Sequence, residues 1–176
     1  MLLGSKVCDK AGGPEPWLTT AHGDLDAMRR AVLHAFDLGL EELEQWCGGL
    51  SDAEMNLRPH GLAPVAFHLR HIARSLDRLL TYAEGRALTE KQIEALNTEL
   101  EPGAKWDDVF AELRYALRVS SERVREMLPA QYEEVRAVGR ERLSASLGGL
   151  LVHLADHTQR HVGQAITTAK VVVDLR

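Results

Sequence analysis

The fold class this sequence predicts is an all-α four-helix bundle, and three observations predict it. Four long segments carry apolar residues at the 3–4 spacing of a single helix face. The Pro and Gly residues fall between those segments, at Gly48-Gly49, Pro59, Gly61, Pro64, Gly85, Pro102-Gly103, Pro129 and Gly139. Strand signals are weak outside one short stretch holding Val135 and Val138. Long amphipathic helices joined by loops of about 10–20 residues pack as a bundle.

Residues 1–22 hold Gly4, Gly12, Gly13, Pro14 and Pro16 and little periodicity. They read as a flexible N-terminal arm tacked down at Trp17 and Leu18, ahead of one bundle domain over 23–176. A first helix runs from Asp24 to Cys47, with Leu25, Met28, Val32, Phe36, Leu40 and Leu43 on its apolar face, and Gly48-Gly49 ends it. Pro64 suits the first turn of a second helix, whose stripe is Val65, Leu69, Ile72, Leu76, Leu79 and Leu80. A short helix from Thr89 to Leu100 lies in a crossover connection. A third long helix runs from Trp106 to Met127 on Val109, Phe110, Leu113, Leu117 and Val124. Ser144 caps a fourth, which ends near Asp174.

Composition narrows the function. A chain of 176 residues, 45% hydrophobic and 27% charged, can bury the core of a soluble globular domain. The net charge of −5, with Lys and Arg mixed among Asp and Glu, leaves no basic stripe for a nucleic acid. No stretch is long and apolar enough to span a membrane. The opening residues lack a signal-peptide apolar run. Two cysteines, Cys8 and Cys47, are too few for a disulfide scaffold and suit a reducing cytoplasm.

The chemistry lies in histidines. His153, His157 and His161 follow one another at i, i+4 and i+8 within the apolar stripe of the fourth helix. At 100° per residue with Leu154 as zero, His161 falls at about −20°, His157 at about −60° and His153 at about −100°. On the second helix, with Ile72 as zero, His68 falls at about −40° and His71 at about −100°, with Ser75 between them. A lone histidine on an apolar face is usually a hydrogen-bonded core residue. Two inward pairs on two long helices about 8–10 Å apart instead suit ligands of one metal. Neutral imidazole serves Zn, Ni and Fe, and three nitrogens with an open position make a catalytic arrangement.

Other patterns are missing or bland. HExxH, paired ExxH, GxSxG and P-loop motifs are absent, which disfavours zincin, di-iron, serine-hydrolase and nucleotide chemistry. His22, His34 and His60 read as surface or boundary residues. Arg70, Arg74, Asp77 and Arg78 read as a solvated face in which Arg74 pairs with Asp77. One of these, or Arg160, is open as an anion holder at a cavity mouth. Gln164, one turn past the pair, is open as a hydrogen-bond donor behind a ligand.

VAFHLRHIARSLDRLLTY over 65–82, followed by LLVHLADHTQRHVGQAI over 150–166, resembles the DinB/YfiT-like superfamily of metalloenzymes. The likeness extends over nearly the whole chain from about residue 24. It implies a four-helix bundle of DinB type with the short extra helix in its crossover. It also implies a divalent metal (Zn, Ni or Fe) held by one histidine of the second helix and an HxxxH pair of the last. The H-h-A-x-S segment matches His71-Ile72-Ala73-Arg74-Ser75, and the pair matches His157 and His161, so the implied ligands are His71, His157 and His161. His68 and His153 are extra to that pattern. His68, the more inward by angle, either replaces His71 or supports it, and His153 lines the site.

The resemblance further implies a homodimer, a small-molecule thiol and an electrophile as partners, and S-transferase chemistry. A non-catalytic metal-binding or structural bundle and a metal-dependent hydrolase are the alternatives the same residues leave open.

Overall fold

The computed structural model describes residues 13–176. Cys8 and the first half of the expected arm lie outside the described residues. Helix α1 (Ala27–Cys47) starts where Asp26 accepts from the backbone N–H groups of Met28 and Arg29, and it buries Val32, Leu33, Phe36, Leu43 and Cys47. Ser51 and Glu54 form a capping box on the one-turn α2 (Asp52–Met55). Helix α3 (Val65–Ala83) begins directly after Pro64 and buries Val65, Leu69, Ile72, Leu76 and Leu80. The short crossover helix α4 (Glu90–Asn97) opens on a second capping box, Thr89 with Gln92, and buries none of its own residues. Helix α5 (Trp106–Glu126) has Asp107 and Asp108 in its first turn and Arg123 and Arg125 in its last, as the helix dipole favours.

The stretch around Val135 is extended, as its residues suggest. Strand β1 (Val135–Val138) pairs antiparallel with β2 (Leu143–Ser146), Val135 opposite Ser146 and Val138 opposite Leu143. That hairpin corrects the expected start of the last helix. Ser144 is held in the ladder opposite Ala137, so the helix cannot begin until the pairing ends. Ser146 is the cap instead, accepting from the Gly149 N–H, and α6 spans Leu147–Asp174.

Helix α6 packs on both α1 and α3, and α5 packs on α3 and α1, so the four long helices close a ring around one core. Phe36, Phe110, Leu33, Leu69, Ile72, Leu76 and Leu151 are among its largest fully buried side chains. The close approach of α1 to α6 depends on Gly39. A Cβ there would stand 3.2 Å from Val162 Cγ2 and 3.4 Å from Gln159 Nε2.

The tether of the N-terminal segment also differs from expectation. Trp17 and Leu18 are 62% and 60% exposed. The buried residue of the turn Pro16–Leu18 is Pro16. The contacts that fasten the segment come from two histidines on or beside α1. His34 Nε2 lies 3.0 Å from the Ala21 carbonyl, and His22 Nε2 lies 2.7 Å from Asp37 Oδ2. His34 is therefore a buried, hydrogen-bonded core residue rather than a surface one.

Candidate metal centre

Because α3 lies against α6, the histidines of the two helices meet. His71, His157 and His161 each offer a ring nitrogen, and those atoms all lie within 4.8 Å of one another. The ring centroids of His71 and His161 are 4.3 Å apart, those of His157 and His161 4.7 Å, and those of His71 and His157 5.0 Å. All three rings are half-buried.

Each ring is held from behind. His71 Nδ1 donates to Glu99 Oε2 at 2.6 Å, and the other Glu99 oxygen accepts from Arg78 Nη1 at 2.8 Å. Ser75 Oγ donates to the Ile72 carbonyl at 3.1 Å, so at 3.4 Å it can only accept from His157 Nδ1. His161 Nδ1 lies 3.1 Å from His68 Nδ1, and a proton on the His161 side turns His161 Nε2 free. Hydrogen-bond partners of this kind choose the tautomer of a ligating histidine and fix its ring.

The consequence appears between His71 and His157. His71 Nε2 and His157 Nε2 lie 3.2 Å apart, and in the tautomers that keep both Nδ1 protons on Glu99 and Ser75 they present lone pairs to each other. Two such acceptors repel at that distance, and a cation between them turns the repulsion into ligation. The donor set therefore fits a divalent metal. Among the described residues the cluster offers three candidate ligands, the number found in sites that keep one position for substrate.

Protonation of His157 and His161 does not compete with a cation near neutral pH. Burial pushes His157, His161 and His68 down to about 4, and the neighbouring imidazoles push the same way. Burial alone would raise the Glu99 carboxyl, but its hydrogen bonds from His71 and Arg78 outweigh this and hold it below the usual range.

Phe67 covers one side of the cluster, its ring stacked 5.3 Å from His71 and edge-on to His68 at 5.2 Å. Two cavities flank it. One of about 490 Å³ is lined by His68, Arg160, Gly163, Gln164, Thr167 and Thr168. The other, about 200 Å³, is lined by Phe67, Glu99 and Arg58 among others. A third cavity, of about 340 Å³ between α3, α4 and α5, has no histidine in its wall.

Several side chains stand elsewhere than the sequence suggested. His153 is exposed, 5.5 Å by ring centroid from His157 and outside the cluster. Gln164 lines a cavity, and the partners behind the ligands are Glu99, Ser75 and His68. His60 is exposed at a positive φ of 51°.

The supposed solvated face of α3 is largely covered by α4 and α5. Arg74 does not pair with Asp77. It reaches Glu112 on α5 at 2.7 Å and the Ala95 carbonyl and Thr98 Oγ1 of the crossover at 2.8 Å each. Asp77 is taken by Arg123 and Gln92. Glu99 carries no signal of its own in the sequence, being one of two acidic residues in TELEPG.

No helix among the described residues is long and apolar enough to cross a membrane. The fold is similar to that of a solved structure, a conserved protein from Enterococcus faecalis. The TM-score is 0.66 at 17% identity, over 85% of this chain and 99% of that one. No curated protein matches. Residues 35–165, from within α1 through the last clustered histidine of α6, match the sequence model of the DinB superfamily. On that match, which spans well over half of its length, the chain belongs to the DinB superfamily.

Proposed function

We propose that this protein is a divalent-metal-dependent enzyme that transfers a small thiol to a small electrophile. The observation that carries the reading is the convergence of His71, His157 and His161, each braced at its other nitrogen, with no fourth protein ligand among the described residues. A divalent ion there supplies a Lewis acid that lowers the pKa of a thiol or water in its open position.

The chain's own residues favour the thiol. Cys47 is fully buried, and burial pushes its thiol up to about 12. Cys47 is the one cysteine among the described residues and is shut away in the core, so in this reading the nucleophilic sulfur is a substrate's. A thiol with an ordinary pKa of about 8.5 needs only a nearby cation to ionise. A cation ionises bound water too, but hydrolysis also calls on a general base, and both oxygens of Glu99 are already engaged by His71 and Arg78. Phe67 excludes water from one side of the cluster, and the larger cavity, with Arg160 and Gln164 on its wall, offers space for the electrophile. A reducing cytoplasm and a homodimer go with this reading.

Elemental analysis of tag-free protein, followed by turnover of a chloronitrobenzene with a panel of small thiols, tests it. Chelator-sensitive conjugation supports the transferase. Bound metal without turnover on any thiol sinks the transferase and leaves a hydrolase or a non-catalytic metal protein. Absence of metal after incubation with Zn, Ni and Fe sinks the metal reading itself.

A further inference from the structure

The third helix-bundle partner of the histidine site comes from outside the bundle. Glu99 follows α4 in the crossover connection, two residues beyond Asn97. It is 4% exposed although no residue of α4 itself is buried. Its two oxygens divide between His71 and Arg78, residues seven apart on one face of α3. The segment that carries it is fastened to α3 by five further hydrogen bonds. Gln92 reaches Asp77 and Thr81, Arg74 reaches Ala95 and Thr98, and Arg70 reaches the Glu101 carbonyl.

We propose that Glu99 is the positioning residue of the metal centre and that docking of the crossover segment over 90–103 and metal binding at His71 are thermodynamically linked. The inference rests on the metal reading above. The argument is geometric. With Nδ1–H donated to Glu99, His71 presents a bare Nε2 toward His157 and His161. Without Glu99 the His71 ring is free to take the other tautomer or rotate away, and one ligand of three is lost from the docked arrangement. Arg78 holds the carboxylate at the distance that meets His71, so it acts on the metal through two intermediaries.

Linkage is reciprocal. Whatever factor a docked Glu99 contributes to metal affinity, bound metal contributes the same factor to keeping the crossover docked. Partners of this type are typically worth about 10–100-fold in metal affinity. The crossover is the part of the chain most able to report it. Its backbone is held mainly by side-chain hydrogen bonds rather than by apolar burial, the condition for local opening below the global unfolding free energy.

The test uses the full chain with zinc alone as the probe. Zinc affinity is measured by competition with a chromophoric chelator for the wild type, Glu99→Gln and the control His153→Ala. Amide hydrogen exchange is measured on the wild type with and without zinc. The expected result is about 10–100-fold weaker zinc binding in Glu99→Gln with His153→Ala unchanged. Exchange over 90–103 in the wild type slows by a factor of the same order when zinc is added. Wild-type affinity in Glu99→Gln overturns the positioning role. So does exchange over 90–103 that ignores zinc in the wild type, a measurement that stands even where the variant folds poorly. A wild type that binds none of zinc, nickel or iron in the first titration overturns the metal reading and this inference together, and so is told apart from a failure of the positioning role alone.

Discussion

His71 Nε2 and His157 Nε2 face each other 3.2 Å apart across the α3–α6 interface, each with its Nδ1 already engaged. In the tautomers that put both protons on Nδ1, the site turns the two Nε2 lone pairs toward one spot that a cation fits. Its partners are set by the surrounding structure before any ligand arrives, the usual condition for a centre that binds without rearrangement.

The first prediction concerns these rings. His157→Ala/His161→Ala is expected to drop bound metal from about one equivalent to background. Its unfolding midpoint in chelator stays near that of the wild type, because both side chains are only half-buried. Zinc at 100 times its Kd stabilises the wild type by about 2.7 kcal/mol and the double variant not at all. Thermal melts with and without zinc read both effects. A double variant that unfolds without added zinc points to a structural site instead.

The second concerns pH, through Asp26 and Tyr132. Asp26 caps α1, and both its oxygens lie 2.9 Å from the Tyr132 hydroxyl, which ties the start of α1 to the segment leading into the hairpin. Burial acts to raise the Asp26 carboxyl, but hydrogen bonds from Arg29, Tyr132 and the cap amides outweigh it, so the folded pKa lies below the unfolded one. Its contribution is present above the unfolded value and is lost as pH falls through the folded one. Tyr132 goes the other way, raised to about 12 by burial and by Asp26. Its contribution is present below about 10 and is lost as pH rises toward 12. Urea unfolding across pH is expected to show a shallower acid limb in Asp26→Asn and a shallower alkaline limb in Tyr132→Phe. At pH 7 Asp26→Asn costs about 1 kcal/mol, since Asn still caps the helix but loses the charge-assisted bonds.

The third prediction is a stabilised variant. Thr158 is 1% exposed and its hydroxyl has no hydrogen-bond partner among the described residues. Valine has nearly the same shape without the unsatisfied group, so Thr158→Val is expected to gain about 1 kcal/mol with metal content unchanged. Calorimetry decides it, and a loss of stability would mean that the hydroxyl has a partner in solution.

The fourth tests the closest approach of two helices. Gly39 faces Val162 and Gln159 across the α1–α6 contact, and Gln159 Nε2 donates to the Ala35 carbonyl at 2.6 Å. A large side chain there must push α6 outward at the turn between His157 and His161. Gly39→Leu is expected to cost about 1–3 kcal/mol and to weaken zinc binding as well. The paired readout of melting temperature and zinc titration separates this from a change in helix propensity alone, which would leave the metal untouched.

The four amphipathic periods were legible in the chain because one apolar face per helix is enough to predict burial. The placement of His157 and His161 on one face of α6 follows from 3.6-residue geometry alone. That α3 is the neighbour of α6 was decided by packing, since nothing in a single helix names its partner.

The choice between His68 and His71 was tertiary too. By helical angle His68 is the more inward residue, and it is indeed the more buried at 5% exposed, yet it stands behind His161. His71 joins the cluster because Glu99 turns it there, from a position 28 residues along the chain. Ser144 and Ser146 are equally good caps in sequence, and the β1–β2 ladder chose the second. Local periodicity and ligand spacing are properties of consecutive residues, so the sequence by itself determined the helices and the histidine pair of α6. The helix pairing, the braces behind each ring and the contact between the crossover and His71 join residues distant in the chain, and only the folded core brings those together.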